Sequence, residues 1–324
     1  MAWKRISRRL FCVMIGVGTI SDAVARDYRL QIDNLQGLGS FQWAHDASKS
    51  NPNYGNPTSE LTYQEYNSNI VRLSISMAIP NDRTASYWLS TGQLSGGNMR
   101  DRDWYSEAYA ASLSGPTLFS DTTSDLNGGG YFAMGMSVSQ PMLTWQQGLV
   151  RWIIDASHIE EQQHAYGAIL LADPYGDYSV PVGGDLVPNT TNVISQTSSF
   201  TSIGFGLGAE WTFWSKWQLS LHSIVRPLVN LHGEDNHHMR ADLGRPSVVH
   251  RGIGSGIDGS VQMTFLITDR LAAVVGFESS AMTLMSGDAV LYASNGNPTQ
   301  PYPLRAFDYY REQWQMGIQY RFSP

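Results

Sequence analysis

Apolar and polar residues alternate with a period of two along most of this chain. Val71, Leu73, Ile75, Met77 and Ile79 interleave with Arg72, Ser74, Ser76 and Ala78. Phe132, Met134, Met136 and Val138 interleave with Ala133, Gly135, Ser137 and Ser139. Trp217, Leu219 and Leu221, then Val261, Met263, Phe265 and Ile267, repeat the pattern. The last stretch runs Tyr310, Trp314, Met316, Ile318, Tyr320 and Phe322 against Arg311, Gln313, Gln315, Gly317, Gln319 and Arg321, with Glu312 alone breaking it. Successive side chains of a strand point to opposite faces, so this period predicts strands with one apolar and one polar face.

A soluble sandwich would show the same alternation, and three features favour a closed membrane barrel instead. The runs often reach ten residues or more, longer than most soluble strands. Trp211, Phe213, Trp214 and Trp217 cluster at strand ends, as an interfacial girdle requires. Connections alternate between short and long. Short turns are predicted at Pro80-Asn81-Asp82, Gln140-Pro141, Ser215-Lys216 and Thr268-Asp269. Long polar connections are predicted at 43–58, 95–128, 164–196, 232–252 and 284–308. The expectation is an all-β, antiparallel transmembrane barrel of about ten strands with long extracellular loops and both termini on the periplasmic side. A first strand is read at 35–43, and Asn51 to Pro57 reads as a loop tip.

The first 25 residues do not fit that pattern. Lys4, Arg5, Arg8 and Arg9 precede a short apolar run from Leu10 to Ile20, and Ala23-Val24-Ala25 has the small-residue spacing of a cleavage site. This predicts a signal peptide over 1–25 and a single barrel domain over 26–324. The one cysteine, Cys12, lies in the signal, so the exported chain would have no disulfide. Removing the four basic residues and Asp22 takes the formal charge from −7 to −10, which argues against a nucleic-acid partner. No later stretch approaches eighteen consecutive apolar residues, so helical membrane spans are excluded.

Charged residues are scarce, and two clusters of them fall in long connections predicted on the same side. In one, Asp101 and Asp103 are two apart, which on an extended segment aims both carboxylates at one face. Such a pair resists joint ionisation and can share a proton or hold a water. In the other, Asp235 and His237 are also two apart, so that the carboxylate could orient the imidazole as a general base. Together the four could activate water toward a carbonyl. Other readings remain open from the residues alone: local ion pairs of the aspartates with Arg100 and Arg102, a zinc site from His232, Asp235, His237 and His238, or a serine hydrolase, for which no nucleophile-elbow motif exists.

The segment Gly96-Gly97-Asn98-Met99-x-Asp101-x-Asp103-Trp104 resembles the corresponding segment of the omptins, the outer-membrane endopeptidases of Gram-negative bacteria. Asp235-Asn236-His237, followed by Met239-Arg240, is similar to the omptin Asp-x-His pair. Leu61, Ile70-Val71-Arg72 and the closing Gln319-Tyr320-Arg321-Phe322 extend the likeness. The resemblance implies an endopeptidase acting on peptides or proteins at the cell surface, with outer-membrane lipid around the barrel. It implies that Asp101 and Asp103 face Asp235 and His237 across a groove, that a water between them attacks the peptide carbonyl, and that neither a covalent acyl-enzyme nor a metal is involved. Asp121 lines up with an acidic groove residue that binds basic substrates. Many omptins carry an acid two residues before the catalytic aspartate. That position is Gly233 here, with Glu234 beside it as the substrate-binding candidate and Asp46 as the candidate for the opposite wall. Cleavage near basic residues is therefore an expectation inherited from the family. Lipopolysaccharide is the lipid cofactor the family brings, yet the matching stretches Ile153-Ile154-Asp155-Ala156-Ser157 and Thr197-Ser198-Ser199-Phe200 have no basic residue. The contrasting expectation is a non-catalytic barrel serving adhesion or structure.

Overall fold

The computed structural model describes residues 27–322; the signal peptide read at 1–25, with Cys12, lies outside the described residues. Eleven strands form one antiparallel sheet: β1 (Tyr28–His45), β2 (Tyr54–Ile79), β3 (Arg83–Ser95), β4 (Asn98–Tyr105), β5 (Leu118–Trp145), β6 (Gly148–Ala172), β7 (Asp185–Phe213), β8 (Trp217–His237), β9 (Leu243–Leu266), β10 (Leu271–Ala293) and β11 (Tyr302–Phe322). Apart from β3 and β4, each strand pairs with its chain neighbours, and β1 pairs with both β2 and β11, which closes the ring. Strands β3 and β4 are one stave broken at Gly96-Gly97, because β2 and β5 each pair with both. The barrel therefore has ten staves, as the alternation predicted. The break needs glycine: φ is +67° and +80°, and a Cβ on Gly97 would lie 2.2 Å from the Gln64 carbonyl oxygen.

The lower halves of the strands carry the apolar exterior. Val71, Leu73, Ile154, Phe205, Leu207, Val225, Ile257, Met316 and Ile318 all stand exposed on the outer wall around the ring. A membrane crossing takes about 9–11 tilted residues, whereas β2, β5 and β7 run for 26, 28 and 29. The surplus projects beyond the apolar belt at the end of the barrel opposite the short turns.

This projection corrects the sequence-derived loop boundaries. The long connections shrink to residues 46–53, 106–117, 173–184, 238–242 and 294–301, and only the second holds a helix, α1 (Glu107–Ser112). The polar ends continue as strands because their outer face meets water, so no apolar alternation marks them. The first strand likewise begins at Tyr28 rather than residue 35. Strand β5 runs through Pro141 at a register shift, and the turn falls at 146–147 rather than at Gln140-Pro141; proline is tolerated in a strand at such an irregularity. The turns read at Pro80-Asn81-Asp82, Ser215-Lys216 and Thr268-Asp269 lie where the strands reverse.

The interior is layered. Toward the short turns lies a polar cavity of about 460 Å³, crossed by the ion pairs Arg72–Glu278 (2.6 Å), Arg226–Asp155 (2.7 Å) and Arg151–Glu210 (3.1 Å). Above it Arg311 pairs with Glu161, which also accepts from the Tyr66 hydroxyl at 2.8 Å, while the guanidinium stacks on Tyr131 at 4.5 Å. Phe41, Phe200, Phe307, Leu231 and Val229 then form a buried apolar layer, with Phe41–Phe307 in edge contact at 4.9 Å. The projecting mouth sits on this apolar floor.

Candidate active site

Strand parity places the acids. In β4, Asp101 lies opposite Leu61 and Thr122, and Asp103 opposite Ser59 and Ser120, all on the inner face. Arg100 and Arg102 alternate with them and face outward, where they pair with Asp121 (2.5 Å) and Glu60. The Ser120 hydroxyl donates to Asp103 Oδ2 at 3.0 Å. Burial pushes the Asp101 carboxyl well above the usual carboxylate range, reinforced by the charges of Asp103, Asp235 and Asp121. Burial also raises Asp103, against hydrogen bonds from Ser59 and Ser120 and the positive charge of Arg240. Two crowded, buried carboxyls of this kind resist joint ionisation and can share a proton.

Across the barrel, β8 alternates in the same way: Val229, Leu231, Gly233 and Asp235 face in, while Asn230, His232 and Glu234 face out. Asp235 is fully buried, and burial raises it well above its ordinary value despite the opposing influence of the Asn236 N–H and the Trp43 indole. Neither of its oxygens closes a hydrogen bond among the described residues. His237 follows on the same face. Its backbone N–H donates to Ser247 Oγ (3.0 Å), and that hydroxyl donates to the Gly244 carbonyl (2.9 Å), so β9 fixes the residue in place. The imidazole is pushed down to about 4, chiefly by burial and then by Arg240, His45 and His238. It is thus neutral at pH 7 and able to accept a proton. The Asp235–His237 hydrogen bond is not closed, since His237 Nδ1 is buried without a partner among the described residues; catalytic hydrogen bonds in free enzymes are often open until substrate binds.

Tyr63 of β2 marks where the two pairs meet. It is fully buried, its hydroxyl has no hydrogen-bond partner among the described residues, and the charges of both Asp235 and Asp101 add to the burial that raises it. Arg240, paired with Asp242 at 2.6 Å, acts electrostatically on Asp101, Asp103 and His237 alike. Asp101 and Asp235 thus both act on Tyr63, with Asp103 and His237 two residues further along their own strands.

The two substrate-binding candidates, Asp121 and Glu234, lie on the strand faces opposite to Asp103 and Asp235. Asp121 lies opposite Arg102 in register and shares the outer face of β5 with its partner Arg100, whose Nε donates to it at 2.8 Å. Glu234 is on the outer face of β8, 3.4 Å from His232. Asp46 is bound to Ser48 N at 2.9 Å, to Ser48 Oγ and to Arg305. The zinc alternative fails to converge as well, because His232 faces out and His238 bonds Ser195 Oγ at 2.8 Å, away from Asp235. Residues in this mouth that sequence reasoning missed are Trp43, His45, Tyr63, Ser120, Ser247 and His250. None forms a motif; only the pairing register brings them in.

For lipopolysaccharide, the relevant outer wall presents Ile154, Ala156, His158, Ser199 and Thr201, while Asp155, Ser157 and Phe200 of the matching stretches are buried inside. His158 is bonded to Thr201 Oγ1 at 2.8 Å. This wall offers no guanidinium or ammonium to a lipid phosphate, and the residues do not fit that ligand.

The sequence matches the family model of the omptin family over residues 44–322. Among solved structures, the outer membrane protease OmpT from Escherichia coli aligns with a TM-score of 0.74 at 15% identity, covering 94% of this chain and 99% of that one. The translocator domain of the autotransporter NalP from Neisseria meningitidis reaches a TM-score of 0.35 at 9% identity, with 99% and 96% of the chains covered. The outer membrane protein OprG from Pseudomonas aeruginosa reaches 0.36 at 8%, with 93% and 97% covered. Those two scores are too low to argue from. No curated protein matches the sequence. The likeness to OmpT at 15% identity speaks for a shared outer-membrane barrel fold. Taken with the match over most of its length, it follows that the chain belongs to the omptin family of outer-membrane proteases.

Proposed function

We propose that this protein is an endopeptidase that hydrolyses peptide bonds at the outer surface of the outer membrane, using a water activated between Asp101/Asp103 and Asp235/His237. The observation that carries the reading is the convergence of two buried acid-bearing strand segments, one from β4 and one from β8, on Tyr63 above an apolar floor. The site stands at the end of the barrel with the long connections, which in an outer-membrane barrel is the extracellular end.

The neutral His237 imidazole is the base. It takes a proton from the water as oxygen attacks the peptide carbonyl, giving a tetrahedral intermediate. Asp235 stabilises the imidazolium that forms, a role for which a buried carboxylate beside it is well placed. The Asp101/Asp103 pair, sharing one proton, holds the water from the other side and orients it. The imidazolium then passes its proton to the leaving amine, the C–N bond breaks, and no acyl-enzyme forms. Water supplies the oxygen of the new carboxylate. Nothing in this scheme depends on a basic side chain at the cleaved bond.

The test is cleavage of quenched fluorogenic peptides by refolded protein, with Asp101→Asn and His237→Ala beside the wild type. Both variants should lose at least about a hundredfold in kcat/KM, the usual scale for a positioned acid or base, while heat-modifiable gel mobility stays that of a folded barrel. Turnover at the wild-type level in both would refute the proposal.

A further inference from the structure

The connection between β6 and β7, residues 173–184, is tied down at two points. Asp173 accepts the backbone N–H groups of Asp177 and Tyr178 on its two carboxylate oxygens, both at 3.0 Å, and Gly176 supplies the φ of +70° that this tight turn requires. The Tyr175 hydroxyl donates to the Pro116 carbonyl of the β4–β5 connection. The Tyr175 ring lies 5.3 Å from that of Tyr105, two residues beyond Asp103 on β4. Gly115 leaves room for this ring, since a Cβ there would meet Tyr175 Cε1 at 2.6 Å. A turn closed by Asp173 and pinned through Tyr175 holds Tyr178 in a fixed place.

That place is beside the first acid pair. The half-buried Tyr178 phenol is hydrogen-bonded to Ser120 and feels the charges of Asp103 and Asp101. Ser120 is 2% exposed, and its hydroxyl donates to Asp103 Oδ2 at 3.0 Å. A serine has one O–H to give. Ser120 gives it to Asp103, so in the bond between Tyr178 and Ser120 the phenol is the donor. The three groups form a directed chain from phenol to hydroxyl to carboxylate, in which each bond polarises the next. The chain singles out one acid of the pair. Ser59 and Ser120 both bond to Asp103, and Arg240 acts on it, whereas Asp101 Oδ1 is buried with no partner among the described residues.

We propose that Tyr178 is a positioning residue for the hydrolysis: by donating to Ser120 it locks the serine rotor, so that the Ser120 proton stays on Asp103 and holds that carboxyl in the orientation that fixes the attacking water. The inference rests on the endopeptidase reading above and adds to it a group that belongs to neither β4 nor β8. Without the phenol O–H the Ser120 hydroxyl is free to rotate, and Asp103 loses a donor of fixed direction next to a second acid.

The experiment uses the refolded full barrel and one quenched peptide, with kcat and KM measured separately for the wild type, Tyr178→Phe, Ser120→Ala and the double variant. Tyr178→Phe keeps the ring and the Asp173 turn and removes only the O–H. It should lower kcat by about three- to tenfold, the scale of one neutral hydrogen bond, with KM within about twofold. Ser120→Ala removes a bond to a charged group and should cost more, about tenfold to a hundredfold. In the Ser120→Ala barrel the change at Tyr178 should do nothing further, because its effect runs through the serine. A Tyr178→Phe kcat within about twofold of the wild type overturns the assignment. So does a loss confined to KM, which would make Tyr178 a substrate contact, and so do losses that multiply, which would make it independent of Ser120. All three leave the endopeptidase reading standing, whereas a folded wild type that cleaves no member of a broad peptide library overturns both. If Ser120→Ala does not fold, the split between kcat and KM in Tyr178→Phe decides the matter alone.

Discussion

Arg240 offers a perturbation whose direction follows from the electrostatics of the mouth. Its charge lowers His237 and also lowers Asp101 and Asp103. The neutral imidazole is the active base, so in the wild type kcat/KM should fall on the acid side as His237 protonates, near pH 4 rather than near 6.5. Arg240→Gln removes a positive charge that disfavours the imidazolium, so His237 becomes easier to protonate and the acid limb moves to higher pH. Two unit charges about 10 Å apart at an effective dielectric of about 20 interact by roughly 1.7 kcal/mol, or a little over one pH unit. The Arg240 side chain is 58% exposed and partly neutralised by Asp242, so screening cuts this to about half a pH unit. The assay is kcat/KM against pH from 3 to 9 for both proteins at fixed ionic strength, on one peptide, with folding checked at each end of the range. An acid limb near 6.5 in the wild type, or one that Arg240→Gln moves downward, would refute the assignment of His237 as a buried, neutral base.

Further outcomes follow from the same geometry. Ser247→Ala removes the acceptor of the His237 N–H and should lower kcat severalfold with little change in KM, at a stability cost of about 1 kcal/mol seen in urea unfolding; an unchanged kcat would deny it a positioning role. Glu161→Gln leaves the Arg311 guanidinium buried without its counter-charge and should destabilise the barrel by about 3–5 kcal/mol, while an unshifted unfolding midpoint would contradict the layered interior. Glu234→Gln acts on the exposed outer face and should leave peptide kcat/KM within about twofold, as surface substitutions generally do; a large loss would mean the groove extends over the wall.

The barrel was legible in the sequence because lipid makes one strand face apolar and the lumen makes the other polar. Val71 to Ile79 and Trp314 to Phe322 state that alternation directly. Beyond the bilayer the constraint disappears, and the polar strand ends around Asn98–Tyr105 and Gly233–His237 read as loops although they are regular strand. The i, i+2 spacing puts Asp101 with Asp103, and Asp235 with His237, on one face of their strands. The same parity excludes Glu234, which adjoins Asp235 and must face the other way. Asp121 is different: its side follows only from its pairing with Arg102, which no local pattern reveals. His250 and Trp43 depend likewise on register, Gly233 with His250 and Trp43 with Leu61, set by strands far apart in the chain.

The account stands on Asp101 and His237 acting on one water from opposite sides of the mouth. A double-mutant cycle on kcat/KM tests this most directly, with Asp101→Asn, His237→Ala and the double variant compared on one peptide in folded barrels. Residues that serve a single step are non-additive, so each single change should cost nearly as much as both together. Losses that multiply in the double variant would show the two acting independently and would contradict the shared water.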